Sequence, residues 1–396
     1  MYKDIELKKN KLIIGVFLLA ILVTAFSIMP VPVSANNPID YLNATDALCL
    51  PGGLDPFSGV DCVLAGPAKR LDELGQIGIT YPAQPLYITK PPFELNNIPF
   101  AYARVSNEEV PLYATIEDAL ANHPTNKLGL GKTKYVSLLQ KISTEKGVFY
   151  QTSTSEWISA DVITKIGIQY FQGFLFKENP KIPFGWILSE TTSRKGPSYS
   201  SVETDNLYSR YNLVRIYDSK IENKIEWVMV GPDEWIDHRF VSRVIPNYEK
   251  PAGVESDRWI EVNLYEQVLI VHEKDRIVFA TLISTGVDPF FTQPGVFTIY
   301  KRLVNEYMRG AFEADRSDYY YLEDVPFIQY YDQARALHGA YWNTLFGYQR
   351  SHGCVNLSVA DAHWLFDWAQ DGDYVYVWDP SGKTPTDPAF YGPGGV

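Results

Sequence analysis

The chain has 396 residues, of which 46% are hydrophobic, 14% aromatic and 21% charged, with three cysteines. Such a chain buries a core across two or three domains, and it is neither a disordered polymer nor a small disulfide scaffold. Forty-seven acidic residues against 35 basic ones give a formal net charge of -12, which excludes a nucleic-acid surface, because neutralising phosphates requires a basic footprint.

Residues 1–35 read as a segment apart from the fold. Lys8, Lys9 and Lys11 precede an uncharged apolar run from Leu12 to Met29, followed by Pro30, Pro32 and the small-residue sequence Val33-Ser34-Ala35. Basic region, apolar region and cleavage site in that order predict export across a membrane. The run is also long enough to span a bilayer, so the segment is either a cleaved signal peptide or a retained anchor. No cysteine stands directly after the run, which argues against a lipid anchor. The exported protein is therefore expected in the cell envelope or outside the cell, with the membrane as a partner only through this segment.

Cysteine usage agrees with export. Cys49 and Cys62 bracket a Pro/Gly-rich stretch, CLPGGLDPFSGVDC, and are expected to close a disulfide loop, with two unpaired structural thiols as the alternative. Cys354 is left alone. A lone thiol in an oxidising compartment risks wrong pairing, and a nucleophilic role is the leading reason to keep one.

Residues 36–95 are rich in Pro, Gly and Asn without a sustained period, and read as a linker or irregular cap. Residues 96–250 carry short β-type runs separated by polar turns, with helical spacing only near Thr115 to Ala121. An internal echo runs through them. Tyr135-Val136-Ser137-Leu138 leads to Glu156-Trp157-Ile158, and Tyr211-Asn212-Leu213-Val214 leads to Glu226-Trp227-Val228 and Glu234-Trp235-Ile236. Two related β modules, resembling the Src-homology-like repeats that bind cell wall, would explain it, and so would chance similarity of Tyr/Trp-rich strands.

Residues 251–380 are clearer, and 381–396 form a tail. Ile260, Val262 and Leu264 alternate with polar residues, Val268 to Val271 is apolar, and a charged turn at Glu273-Lys274-Asp275-Arg276 leads into Ile277 to Ile283, which predicts a β-meander. Gln293-Pro294-Gly295 turns into a further strand, Val296 to Tyr300. Ser358-Val359-Ala360-Asp361 reads as a capping box for a helix whose buried face is Val359, Ala362, Leu365, Phe366 and Ala369, ending at Asp371-Gly372. Tyr374 to Trp378 is a closing strand.

Cys354 lies in Ser351-His352-Gly353-Cys354-Val355-Asn356, four residues before the helix cap. Backbone donors and the positive end of the helix dipole are expected to favour its thiolate there. A histidine is the usual activating partner, and spacing leaves two candidates: His352, on the same face of an extended segment, and His338 in Leu337-His338-Gly339-Ala340-Tyr341-Trp342. Gly353 lets a substrate carbonyl approach the backbone, as an oxyanion site requires. A zinc site of His338, His352 and Cys354 lacks the usual ligand spacing and a fourth ligand. His238, His272 and His363 read as structural, and Asp361 as a helix cap.

This segment resembles the catalytic signature of the YkuD-type L,D-transpeptidases, in which a histidine is followed after a loop by Ser/Thr-His-Gly-Cys-hydrophobic-Asn. The resemblance covers roughly residues 257 to 379, includes Ser284-Thr285-Gly286 and Pro294-Gly295, and leaves the first 250 residues unassigned. It implies a C-terminal β-sandwich or barrel with a short helix after the cysteine; with the small β modules read from the strand pattern before it, the whole chain is expected to be mostly β. It implies Cys354 as nucleophile and His338 as its base, oriented by the carbonyl of Gly339 in place of a triad carboxylate. His352, Gly353 and Cys354 would line the oxyanion site, and Ser351, His352 and Asn356 would shape the loop or hold substrate. Trp342 and Tyr320 match aromatic lid positions, with ordinary core packing as the alternative. Twelve residues separate His338 from Ser351, a short gap for the family. The implied partners are the donor and acceptor stem peptides of peptidoglycan, crosslinked between third-position residues through a thioester, with no metal or organic cofactor. Hydrolysis by a carboxypeptidase, another wall-directed cysteine hydrolase, and a non-catalytic wall-binding protein are the competing readings.

Overall fold

Alternation of apolar and polar side chains builds the predicted meander from Arg258–Asn263, Val268–Glu273 and Arg276–Leu282, paired antiparallel with Ile260 opposite Val271 and Ile270 opposite Ala280. Tyr374–Trp378 lies parallel to the first of these strands, and Gly295–Thr298 pairs antiparallel outside it. At the other edge the sheet is extended by Phe174–Phe176 and Ile88–Thr89, giving seven strands in all. These contacts come from a computed structural model that describes residues 47–48, 62–63, 66–311, 316 and 318–391. The expected export segment and the expected Cys49–Cys62 bridge fall outside the described residues. The chain divides into two compact units, residues 1–73 and 74–396. In the first, Ala47–Leu48 and Cys62–Val63 pair in parallel; everything below concerns the second.

A nine-stranded sheet faces the meander. Its main path runs Ile163–Ile166, Ala101–Val105, Thr133–Thr144, Tyr320–Asp332, Arg335–Gly339, Val355–Leu357, and Lys301–Gly310 forms a long hairpin with Tyr320–Asp332. Sheet pairing thus crosses from the region before residue 250 into the C-terminal region: Thr133–Thr144 runs parallel to Tyr320–Asp332, with Tyr135 beside Leu322. The two sheets bury one core between them. Ile260, Val262, Leu269, Val271 and Phe279 from the meander meet Phe327, Leu337, Val355 and Leu357 from the larger sheet. The fold is mostly β, a sandwich closed by one helix.

That helix spans Val359–Trp368 and inserts Val359, Ala362 and Leu365 into the same core. Ser358 caps it by accepting the Asp361 N–H at 3.2 Å. Asp361 does more than complete the cap. Its carboxyl accepts the Gly173 N–H at 3.0 Å and the Thr281 hydroxyl at 2.6 Å, tying the strand before residue 250 to the meander. Burial pushes its pKa up to about 6 against those hydrogen bonds.

Part of the region read as linker is ordered against this core. Besides the edge strand Ile88–Thr89, the Leu95 carbonyl accepts from Nδ1 of His363, whose ring stacks on Phe327 with centroids 4.1 Å apart. His272 stacks on Trp259 at 3.7 Å and bonds Glu261 at 3.1 Å. Where the sequence echoes itself the local geometry repeats: Trp157–Ser159, a 3-10 turn Ala160–Val162 and Ile163–Ile166 correspond to Glu234–Asp237, a 3-10 turn His238–Phe240 and Val241–Val244. Ser159 and Asp237 cap the two turns by accepting the N–H two residues on, at 3.3 and 2.9 Å. The strands join different sheets, the first pair in the nine-stranded sheet and the second divided between sheets of five and three.

Candidate active site

The loop before the helix is held by its own polar atoms. Ser351 Oγ donates to the Cys354 carbonyl at 2.5 Å and accepts the Gly353 N–H at 3.1 Å, and Thr292 donates to the Gly353 carbonyl at 2.8 Å. Gly353 sits at φ +114, a conformation L side chains rarely adopt, and a Cβ there would lie 3.2 Å from Arg335 Nε. The Ser351 hydroxyl thereby shapes the loop, and the Gly353 N–H is taken up inside it, while the Cys354 N–H has no partner among the described residues.

His338 reaches the same place from the neighbouring strand. Arg335–Gly339 and Val355–Leu357 are parallel, with His338 directly beside Asn356. Residues two apart on an extended chain share a face, so Cys354 is the diagonal neighbour of His338 on the side they present to a cavity of about 780 Å³, which all three line. Among the described residues the buried Asn356 Oδ1 has no hydrogen-bond partner. That acceptor suits an incoming peptide N–H.

His338 Nδ1 contacts the Gly339 carbonyl at 3.2 Å. A carbonyl only accepts, so Nδ1 carries the proton and Nε2 is left with its lone pair. Burial lowers the His338 pKa to about 4, with the Gly339 hydrogen bond opposing, so the imidazole is neutral at physiological pH. Burial pushes the Cys354 thiol up, against the Ala336 N–H and the charge of Arg335. The expected resting thiolate is thus corrected: the sulfur is half-buried, 3.9 Å from the Ala334 carbonyl, and three strand residues separate it from the capped helix terminus, beyond reach of a dipole effect confined to the first turn. Resting thiol and imidazole are thus both uncharged.

His352 faces the cavity half-buried, with Phe290 at 4.8 Å and Tyr320 at 5.5 Å between ring centroids, and burial lowers its pKa. It braces the loop and the Tyr320 wall. Trp342 lines the cavity 5.7 Å from the His338 ring. Arg104, Lys132, Tyr135, Glu306, Tyr330 and Arg350 also line it, and none was legible as a site residue. They arrive through strand pairing between segments far apart in sequence, which no local motif encodes. Among the described residues, no group of three or more His, Cys, Asp or Glu side chains is arranged to hold a metal ion.

Residues 257–377 match the YkuD family, described as the L,D-transpeptidase catalytic domain. Among solved structures the chain is similar to an L,D-transpeptidase (Yku) from Stackebrandtia nassauensis, 25% identical over 35% of this chain and 62% of that one, TM-score 0.27. It is similar to the L,D-transpeptidase from Xylanimonas cellulosilytica at 25% identity, over 33% of this chain and 65% of that one, TM-score 0.27. It is also similar to the L,D-transpeptidase from Mycobacterium smegmatis at 15% identity, over 54% of this chain and 93% of that one, TM-score 0.30. The chain thus spans less than two thirds of the length of the first two. No curated protein matches it.

Proposed function

From the YkuD domain carried by residues 257–377 we infer that this protein is a peptidoglycan L,D-transpeptidase, exported by its N-terminal segment to act in the cell envelope. The observation that carries the reading is the shared cavity of Cys354 and His338, with the His338 Nδ1 turned to the Gly339 carbonyl so that Nε2 is free to accept a proton.

The chemistry follows from that geometry. As a stem tetrapeptide enters, His338 Nε2 takes the thiol proton and the sulfur attacks the carbonyl that joins the L-centre of the diamino acid to the terminal D-alanine. The Cys354 N–H meets the developing oxyanion. His338 then returns its proton to the departing D-alanine nitrogen, and a thioester remains on Cys354. The amine of a second stem attacks that thioester, the proton passes again through His338, and a crosslink between third-position residues forms with the thiol restored. Water in place of the amine gives an L,D-carboxypeptidase.

The repeated Trp-strand and 3-10-turn pattern before residue 250 supports a wall-binding part in residues 96–250. Incubation of the full chain with tetrapeptide stems is expected to release D-alanine and to leave a thioester mass on Cys354, both lost in Cys354→Ala. Products without new crosslinks would assign the carboxypeptidase; retained activity in Cys354→Ala would overturn the mechanism.

A further inference from the structure

The cavity is composite, and its charge is opposite to that of the chain. Arg104, Tyr135, Leu322 and Met308 stand side by side in register across four adjacent strands, two from before residue 250 and two from the long hairpin. All four line the cavity. Its charged lining is Arg104, Lys132, Arg309 and Arg350 against Glu306, apart from the catalytic histidines and cysteine. In a protein with 47 acidic residues and 35 basic ones, four cations around one opening run against the composition. Among the described residues none of the four is in an ion pair, whereas Glu306 accepts from Tyr330 at 2.5 Å and faces Lys301 at 3.5 Å. Arg104 donates to the neutral Asn107 side chain at 3.1 Å.

Two of the cations share the lining with Tyr135. Arg104 is paired directly with Tyr135 across adjacent antiparallel strands, and Arg350 lines the same cavity; burial raises the Tyr135 pKa, and the charges of both arginines oppose it. Arg104 comes from the Ala101–Val105 strand and Arg350 from the loop preceding Ser351. The Tyr135 ring in turn lies 6.3 Å from Trp342, which packs beside His338. A negatively charged group seated there would be one aromatic layer removed from the catalytic base.

We propose that Arg104 and Arg350, which line the cavity together with Tyr135, bind a carboxylate of the stem peptide and so orient the donor across the cavity. Guanidinium groups match the planar, two-oxygen geometry of a carboxylate. The site exists only when the region before residue 250 is paired to the catalytic sheet, which makes that region part of substrate recognition. The proposal rests on the transpeptidase reading for its substrate, and the stem offers more than one carboxylate, at its D-glutamyl residue, at the diamino acid and at its terminus.

The test measures binding and chemistry separately. Tetrapeptide stem, and versions in which one carboxylate at a time is amidated, are titrated calorimetrically into the full-length Cys354→Ala protein, with Arg104→Gln, Arg350→Gln and both together. In parallel, thioester formation on Cys354 is followed by mass spectrometry in chains that keep the cysteine. One amidation is expected to weaken binding roughly tenfold or more, each arginine change to do the same to the unmodified stem, and the double variant to bind amidated and unmodified stems alike; the amidation that matters identifies the carboxylate. Arg104→Lys, which keeps the charge without the fork, is expected to fall between. Equal binding of all stems by the double variant and the parent overturns the proposal, as does an equal loss for every stem. A thioester that forms at the parental rate in the double variant at subsaturating stem overturns it while leaving the transpeptidase reading intact. Arginine-dependent binding without any thioester overturns that reading and leaves the carboxylate site standing.

Discussion

His338 and Asn356 stand side by side on parallel strands, and this register, rather than any sequence proximity, sets an imidazole diagonal to the thiol of Cys354. His363, by contrast, is committed to the Leu95 carbonyl and to a stack on Phe327. His338→Ala is expected to lower the rate of Cys354 acylation by about 10²- to 10⁴-fold, the usual contribution of a positioned base, while His363→Ala lowers the unfolding midpoint and leaves acylation near the parent rate. Single-turnover mass spectrometry reads the first effect and a thermal melt the second.

The pH profile follows from the two shifted groups. His338, lowered to about 4 by burial, stays unprotonated well below the ordinary histidine value near 6.5. The acid limb of kcat/KM is therefore expected near pH 4, and activity persists at pH 5.5, where an ordinary imidazole would be mostly protonated. Because burial raises the Cys354 thiol, alkylation by a small neutral reagent without substrate is expected to climb only above the ordinary thiol range. An acid limb near pH 6.5 would contradict the burial of the His338 ring.

Asp361 makes stability depend on pH in the less common direction for a carboxyl. Its native pKa is raised to about 6, whereas the unfolded side chain titrates at about 3.9. Between those values the native state keeps a proton that the unfolded chain has shed. Its stabilising contribution is full below the unfolded value and is lost as pH rises through about 6. Asp361→Asn, which retains an acceptor toward Gly173 and Thr281, is expected to flatten that decline, seen as an unfolding midpoint that holds level relative to the parent's falling one between pH 4 and pH 6 and exceeds it at pH 7.

Gly353→Ala places a side chain at φ +114 beside Arg335. Such a conformation costs roughly 1–2 kcal/mol, and its relief would turn the Cys354 N–H away from the developing oxyanion. Loss of one such donor typically slows acyl transfer about 10²- to 10³-fold. The expected result is a large fall in kcat with a small change in peptide Kd.

What the amino-acid order carries is local. The Ile260–Ile283 meander shows as alternation and charged turns, and the helix after Ser358 as a cap followed by apolar positions at helical spacing; both form where those signals lie. The Ser351–Asn356 motif likewise marks the loop that brings Cys354 to the cavity. Pairing of Tyr135 with Leu322, or of Arg104 with Tyr135, leaves no trace in either segment, because strand register depends on which faces are buried together once the sheet assembles. For the same reason the motif does not show the state of the Cys354 thiol: burial outweighs the nearby donors, and burial is a property of the assembled sandwich.

The continuity of the nine-stranded sheet decides how this molecule can be cut. A fragment starting at residue 251 would lack the Thr133–Thr144 strand and bare the backbone of Tyr320 to Leu322 as an open edge. It would also strand the Glu323 carboxyl, which in the whole chain accepts from the Ser137 N–H at 2.9 Å and the Ser153 hydroxyl at 3.0 Å. Unpaired edges recruit other chains. An expression plasmid trimmed to the family boundary should therefore yield inclusion bodies, and one beginning near residue 74 a soluble product.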